Sequence, residues 1–222
     1  MRPKRALKGT WYRVGWHTGP LDYPPHQFLS WSGRFDDPRS SLEPTARFRT
    51  LYLGRRRTTA LREALQDLRP DTRATADFKS LFGTTPPAGI VTAQWRADRR
   101  IARARVEGPE HVFVDLEDLD VRRELEEQHA SLLAAHGMRH LDISQLRSTQ
   151  RVVTQTIALE LYAAGTAGIA YRSTLDNERC LAVFEGRAAL TPYGSPQTLE
   201  ANDEDLLAVC KAWNLEIETV AS

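Results

Sequence analysis

A chain of 222 residues, 41% hydrophobic and 27% charged, holds enough apolar material for one core-bearing domain and lies outside the composition range of disordered chains. Thirty basic against 29 acidic side chains leave a formal charge of +1, so there is no overall attraction to nucleic acid or anionic lipid and any anion site must be local. Four of the basic residues are Lys and 26 are Arg, so a lone Arg carries little information.

The opening MRPKRALKGTWYRVGW is basic, but no apolar stretch of signal-peptide length follows it. No run reaches the roughly eighteen apolar residues of a membrane span. These features predict a cytoplasmic protein with no membrane partner. Without a secretion signal, Cys180 and Cys210 are expected to be reduced core residues, not a disulfide.

In chain order, TWYRVGW (10–16) reads as a strand. Residues 17–49, rich in Gly, Pro, Ser and aromatics, show no sustained period and read as a long loop, a feature that in compact domains usually binds something. RTLYLG reads as the next strand. TTALREALQDL follows as a helix capped by Thr58 or Thr59 and halted before Pro70; Ala60, Leu61, Ala64, Leu65 and Leu68 form its apolar stripe and Glu63 lies outside it. Residues 70–90 read as loop, IVTAQW as a strand, and RIARARVEG as a half-exposed strand alternating Ala102, Ala104 and Val106 with Arg103 and Arg105.

HVFVDLED reads as a buried strand and VRRELEEQHASLLAAHG as an amphipathic helix ending at Gly137. A further helix is expected from Thr149 to Ala164, stopped by Gly165. GIAYRS and CLAVFEG read as two strands, the second interior, and a last helix spans about 203–215, capped by Asn202 or Asp203. The fold class is therefore α+β, a single domain over 1–222 with a mixed, mostly buried sheet.

Several chemistries lack their motifs. The phosphate loop GxxxxGK[ST], the dinucleotide fingerprint GxGxxG, HExxH and the GxSxG elbow are all missing, so Ser173 has no elbow to present it as a nucleophile. His136 and His140, with Asp142, have a spacing that metals use on helices, but Gly137 breaks the helix between them; no metal is expected. The Arg55–Arg57 and Arg96–Arg105 clusters could touch phosphates, but on a neutral, Arg-rich chain they read more simply as solvated surface, and nucleic acid is not expected as a partner.

WYRVG, SGRFDDP, LYLGRRRTTALREAL, GIAYRS and CLAVFEG, in this order and spacing over residues 10–186, together resemble the RES-domain family. The resemblance implies an ADP-ribosyltransferase-like mixed sheet with flanking helices and an activity on NAD as substrate, with no further cofactor. Family members break NAD down by hydrolysis or phosphorolysis, or transfer ADP-ribose to protein, and many are toxins of toxin–antitoxin pairs. The family's Arg, Glu and Ser fall on Arg13, Glu63 and Ser173, its strand aromatic on Tyr52, and its GRWN-like loop on Gly33-Arg34-Phe35-Asp36. Phe35 for Trp and Asp36 for Asn are departures, the second adding a negative charge.

The implied roles follow NAD chemistry. Arg13, helped by Arg34, would hold the pyrophosphate, since a planar guanidinium engages phosphate oxygens in two directions. Glu63 would stabilise the oxocarbenium-like ribose as the nicotinamide leaves. Tyr52 would flank the nicotinamide, and Ser173, with Tyr171 beside it, would orient substrate through a hydrogen bond. Taken singly, each residue has an ordinary reading as well: a surface Arg, a solvated helix Glu, a core Tyr, a turn Ser. The readings left standing are an NAD glycohydrolase or phosphorylase acting as a toxin with a separate antitoxin protein, a protein ADP-ribosyltransferase, and a catalytically silent binding module. Homo-oligomerisation stays open.

Overall fold

The computed structural model describes residues 9–84, 88–107, 112–147 and 150–219. Its first strand, β1 (Thr10–Trp16), is followed by an irregular segment to residue 49, broken only by 3-10 turns at His26–Phe28 and Pro44–Ala46. Then come β2 (Thr50–Gly54), α1 (Arg57–Leu65), α2 (Thr72–Phe82), β3 (Ile90–Val91), α3 (Ala93–Ala97), β4 (Arg99–Glu107) and β5 (Phe113–Asp115). The chain continues through α4 (Leu119–Gln128), α5 (Ala130–Ala135), α6 (Ile143–Leu146), α7 (Arg151–Ala163), β6 (Gly168–Arg172), β7 (Arg179–Phe184), β8 (Ala189–Pro192), α8 (Glu204–Trp213) and β9 (Glu216–Ile217).

Seven strands form one mixed sheet in the order β5-β6-β7-β2-β1-β4-β8, in which only β5 and β6 run parallel. β3 and β9 make a separate parallel pair. The fold is α+β, and period-2 alternation explains its two-sided core. On one face Cys180, Ala182, Phe184 and Ile169 pack under α4, α5 and α7; on the other Leu181, Val183, Leu51 and Leu53 meet Trp11, Leu21 and Tyr23. A third cluster joins Leu61 and Leu65 of α1 to Leu206 and Val209 of α8. Each fully buried side chain of this size contributes about 1.5–3 kcal/mol.

One topological detail positions the site. β1 pairs with β4 along its whole length and β2 pairs with β7 along its whole length, but β1 and β2 meet only at Tyr12 and Gly54. The two strands splay apart from that point, and a cleft opens in the middle of the sheet.

The structure departs from the sequence reading in several places. The expected loop after Pro70 contains α2, capped by Asp71, whose carboxylate accepts from Arg73 N and Ala74 N, and closed by left-handed Gly83; none of its residues is buried, so it has no core stripe to reveal it. IVTAQW keeps only two strand residues before Thr92 caps α3 by accepting from Trp95 N at 3.0 Å. α1 starts at Arg57 without a side-chain cap, and Thr58 and Thr59 lie inside it. The expected α4–α5 helix is broken at His129, β8 was not foreseen, and Thr149, the expected start of α7, lies outside the described residues. α8 ends at Trp213, where Asn214 turns left-handed. Cys180 and Cys210 are buried free thiols. No described helix is long and apolar enough to cross a membrane.

Candidate active site

The cleft between β1 and β2 encloses about 220 Å³ and is lined, among others, by Arg13, Asp36, Tyr52, Glu63, Tyr171 and Cys180. Four of the six residues singled out from sequence thus line one cavity. Ser173 and Arg34 lie just behind it.

Glu63 projects from α1 off the apolar stripe that docks Leu61 and Leu65 in the core, which leaves its carboxylate half-buried at the cleft. Ser173, at the end of β6 and 1% exposed, donates its hydroxyl to Glu63 Oε1 at 2.6 Å and accepts from Leu175 N at 3.0 Å. The hydroxyl hydrogen is therefore spent on Glu63. The sequence reading gave Ser173 a direct bond to substrate; its contact in the structure is with the carboxylate. A second tie runs parallel to the first: Asp176 accepts from Thr59 Oγ1 and from Arg62, both at 2.8 Å, which clamps α1 to the turn after β6. Burial raises the Glu63 pKa, while the Ser173 bond and the Arg34 charge pull against it.

Tyr52 forms the opposing wall. Its hydroxyl donates to Asp36 Oδ1 at 2.8 Å and accepts from Phe35 N at 3.0 Å, while Gly33 N donates to Asp36 Oδ2 at 2.7 Å. A Cβ on Gly33 would lie 2.6 Å from the Tyr52 hydroxyl and from both Asp36 oxygens, so this loop closes only with glycine there. Asp36 is 7% exposed and its carboxylate is turned onto its own loop and Tyr52. Burial raises its pKa, opposed by the Tyr52 and Gly33 bonds. Tyr171 is buried, with its ring edge-on to Phe35 at 5.0 Å between centroids.

Arg13 enters from the β1 side. Its guanidinium folds back over Gly15 and donates to the Pro20 carbonyl; a Cβ on Gly15 would overlap both groups. Desolvation pushes its pKa down to about 10 despite nearby Asp22. Among the described residues it shares no hydrogen bond with Glu63 or Ser173. Arg34 donates to the Leu146 carbonyl and lines a small recess beside Tyr171, and burial lowers its pKa.

The sequence reading missed the residues that hold these groups in place. Asp37, fully buried, binds Arg39 at 2.6 Å and Phe48 N at 3.1 Å, and Gln155 of α7 donates to the carbonyls of Trp31 and Gly33. Asp176 could have been suspected from the turn-rich TLDNE, but its partners are remote in sequence. The other candidates are engaged elsewhere. His140 lies against Glu126 at 3.0 Å beyond left-handed Gly137, Arg57 is paired with Asp203 and Asp205, and Arg96 donates to the Glu218 carbonyl at 2.7 Å.

A half-buried, serine-bonded carboxylate facing a tyrosine wall and an arginine across a split sheet defines an α+β domain built around a carboxylate cleft. The RES domain family model matches residues 10–201, and the chain belongs to the RES-domain family. No curated protein sequence matches it. Among solved structures it is similar to one described as the crystal structure of the M. tuberculosis MbcT–MbcA toxin–antitoxin complex, with 14% identity, coverage of 85% of this chain and 84% of that chain, and a TM-score of 0.49.

Proposed function

We propose that this protein consumes NAD by cleaving its nicotinamide–ribose bond, and that it acts as the toxin of a toxin–antitoxin pair whose antitoxin is a separate protein. Family membership supports the substrate class. The observation that carries the chemistry is the Ser173–Glu63 hydrogen bond of 2.6 Å at the cleft wall: with Oε1 engaged, Oε2 is left for a ribose hydroxyl.

As the N-glycosidic bond breaks, its electron pair leaves with the nicotinamide nitrogen and positive charge develops on the ribose. An ionised Glu63 stabilises that charge more in the transition state than in the ground state. Arg34 favours the ionised form through its charge. Tyr52, its hydroxyl fixed at both ends, supplies a rigid aromatic wall for the nicotinamide. Arg13 exchanges its Pro20 carbonyl for phosphate oxygens, a stronger charge-assisted pairing. Water or phosphate then forms a C–O bond to the anomeric carbon, and the proton lost by an attacking water passes to solvent. Induced expression with measurement of intracellular NAD tests the proposal; unchanged NAD with the wild-type chain, or equal depletion with Glu63→Ala, would reject it.

A further inference from the structure

A second cavity of about 480 Å³ is bounded by Trp16, Asp22, Tyr23, Pro24, Pro25 and Phe28. No residue of the Glu63 wall belongs to it, yet Pro24 lines both cavities. Trp16 and Phe28 are 49% and 71% exposed, a large apolar area for side chains that the fold does not use. Arg99 stacks between Trp16 and Trp95, with its guanidinium 4.7 and 4.6 Å from the two rings, and does not line the cavity. It braces the Trp16 indole.

We propose that this aromatic slot binds the purine base of an adenine nucleotide, an inference that rests on NAD being the substrate and adds the place where its adenylate end is read. Trp16 lies three residues beyond Arg13 on β1, a span of about 10 Å along a strand, and although alternation turns the two side chains to opposite faces, Asp22 lies beside Arg13 and lines the cavity together with Trp16. A dinucleotide with its phosphates on Arg13 would then lie with one base on each side: nicotinamide at Tyr52 and Glu63, purine between Trp16 and Phe28. Aromatic faces bind bases by stacking, and Asp22, exposed at the rim beside Arg13, can accept a hydrogen bond from an exocyclic amine. That selects adenine over hypoxanthine, which presents a carbonyl oxygen at the same position.

The test titrates 5′-AMP and 5′-IMP into the wild-type protein, Trp16→Ala, Phe28→Ala and Trp16→Phe, alongside cleavage kinetics with NAD and with nicotinamide mononucleotide, which lacks the adenylate. The expected result is AMP binding tighter than IMP binding, a loss on the order of tenfold or more in each alanine variant, and recovery in Trp16→Phe. The KM for NAD rises in the alanine variants while that for the mononucleotide does not. AMP that fails to bind the wild type, or binds all variants equally, overturns the slot even if NAD is cleaved. If neither substrate is cleaved the function proposed above fails, and the AMP titration still decides the slot.

Discussion

Ser173 donates to Glu63 Oε1 at 2.6 Å across 110 positions of sequence, so the end of β6 determines which carboxylate oxygen on α1 stays free. In the proposed mechanism Ser173 would be a positioning residue that acts through Glu63. Ser173→Ala should lower kcat by roughly ten- to a hundredfold, the worth of one charge-assisted hydrogen bond of about 1.5–3 kcal/mol, without abolishing turnover. An inert Ser173→Ala protein that still binds NAD would contradict this role.

The same bond sets a pH dependence. Burial raises the Glu63 pKa and the Ser173 and Arg34 contacts restrain the rise, so the acid limb of kcat should lie above the ordinary carboxylate range. Ser173→Ala and Arg34→Met should each move that limb further up. A limb unmoved in both variants would mean that another group titrates.

Stability should respond in the opposite sense to activity at Glu63. A carboxyl whose folded-state pKa is raised contributes its stability fully below the unfolded-state value and loses it as pH rises through the folded-state value. Glu63→Gln should therefore cut turnover by roughly a hundred- to a thousandfold, while resisting urea at neutral pH at least as well as wild type. Urea midpoints measured at acid and neutral pH check both signs.

Gly15 lies under the Arg13 guanidinium with no room for a methyl group. Gly15→Ala should cost about 1–3 kcal/mol of stability as overpacking, and because Arg13 must leave the Pro20 carbonyl in any case to take phosphate oxygens, it should weaken NAD binding less than Arg13→Ala does. Calorimetry with ADP-ribose reads the binding part separately.

At Asp36 two substitutions diverge. Asp36→Asn retains one oxygen for Gly33 N and removes a carboxylate whose burial is unfavourable, but sets an NH2 against the Tyr52 hydroxyl that can no longer accept from it; stability at neutral pH should fall by less than in Asp36→Ala. Asp36→Ala strands Gly33 N and the Tyr52 hydroxyl and should cost about 1–3 kcal/mol. Equal melting of the two variants would show that the oxygen does not hold the loop.

The strands of the sheet were legible wherever apolar character alternated or ran unbroken, as in RIARARVEG and CLAVFEG, because a pleated strand buries every second residue or both faces. Helices α1, α7 and α8 announced themselves by an apolar stripe. α2 did not, since its side chains contact no core, and IVTAQW misled because two strand residues and a capped turn share one apolar run. Gln155 carried no local signal, since it binds remote backbone; Asp37 and Asp176 stand in turn-rich stretches, but Phe48, Thr59 and Arg62, which they hold, lie elsewhere in the chain.

Residue types and order alone sufficed for the α+β class and the family resemblance, which depend on local periodicity and ordered motifs, and the resemblance in turn singled out Arg13, Tyr52, Glu63 and Ser173. Tertiary structure alone decided that β1 and β2 part after a single pairing, that Ser173 faces Glu63, and that Asp36 turns inward onto Tyr52. These are contacts between segments remote in sequence, set by strand order and by the burial each side chain finds only once the sheet has formed.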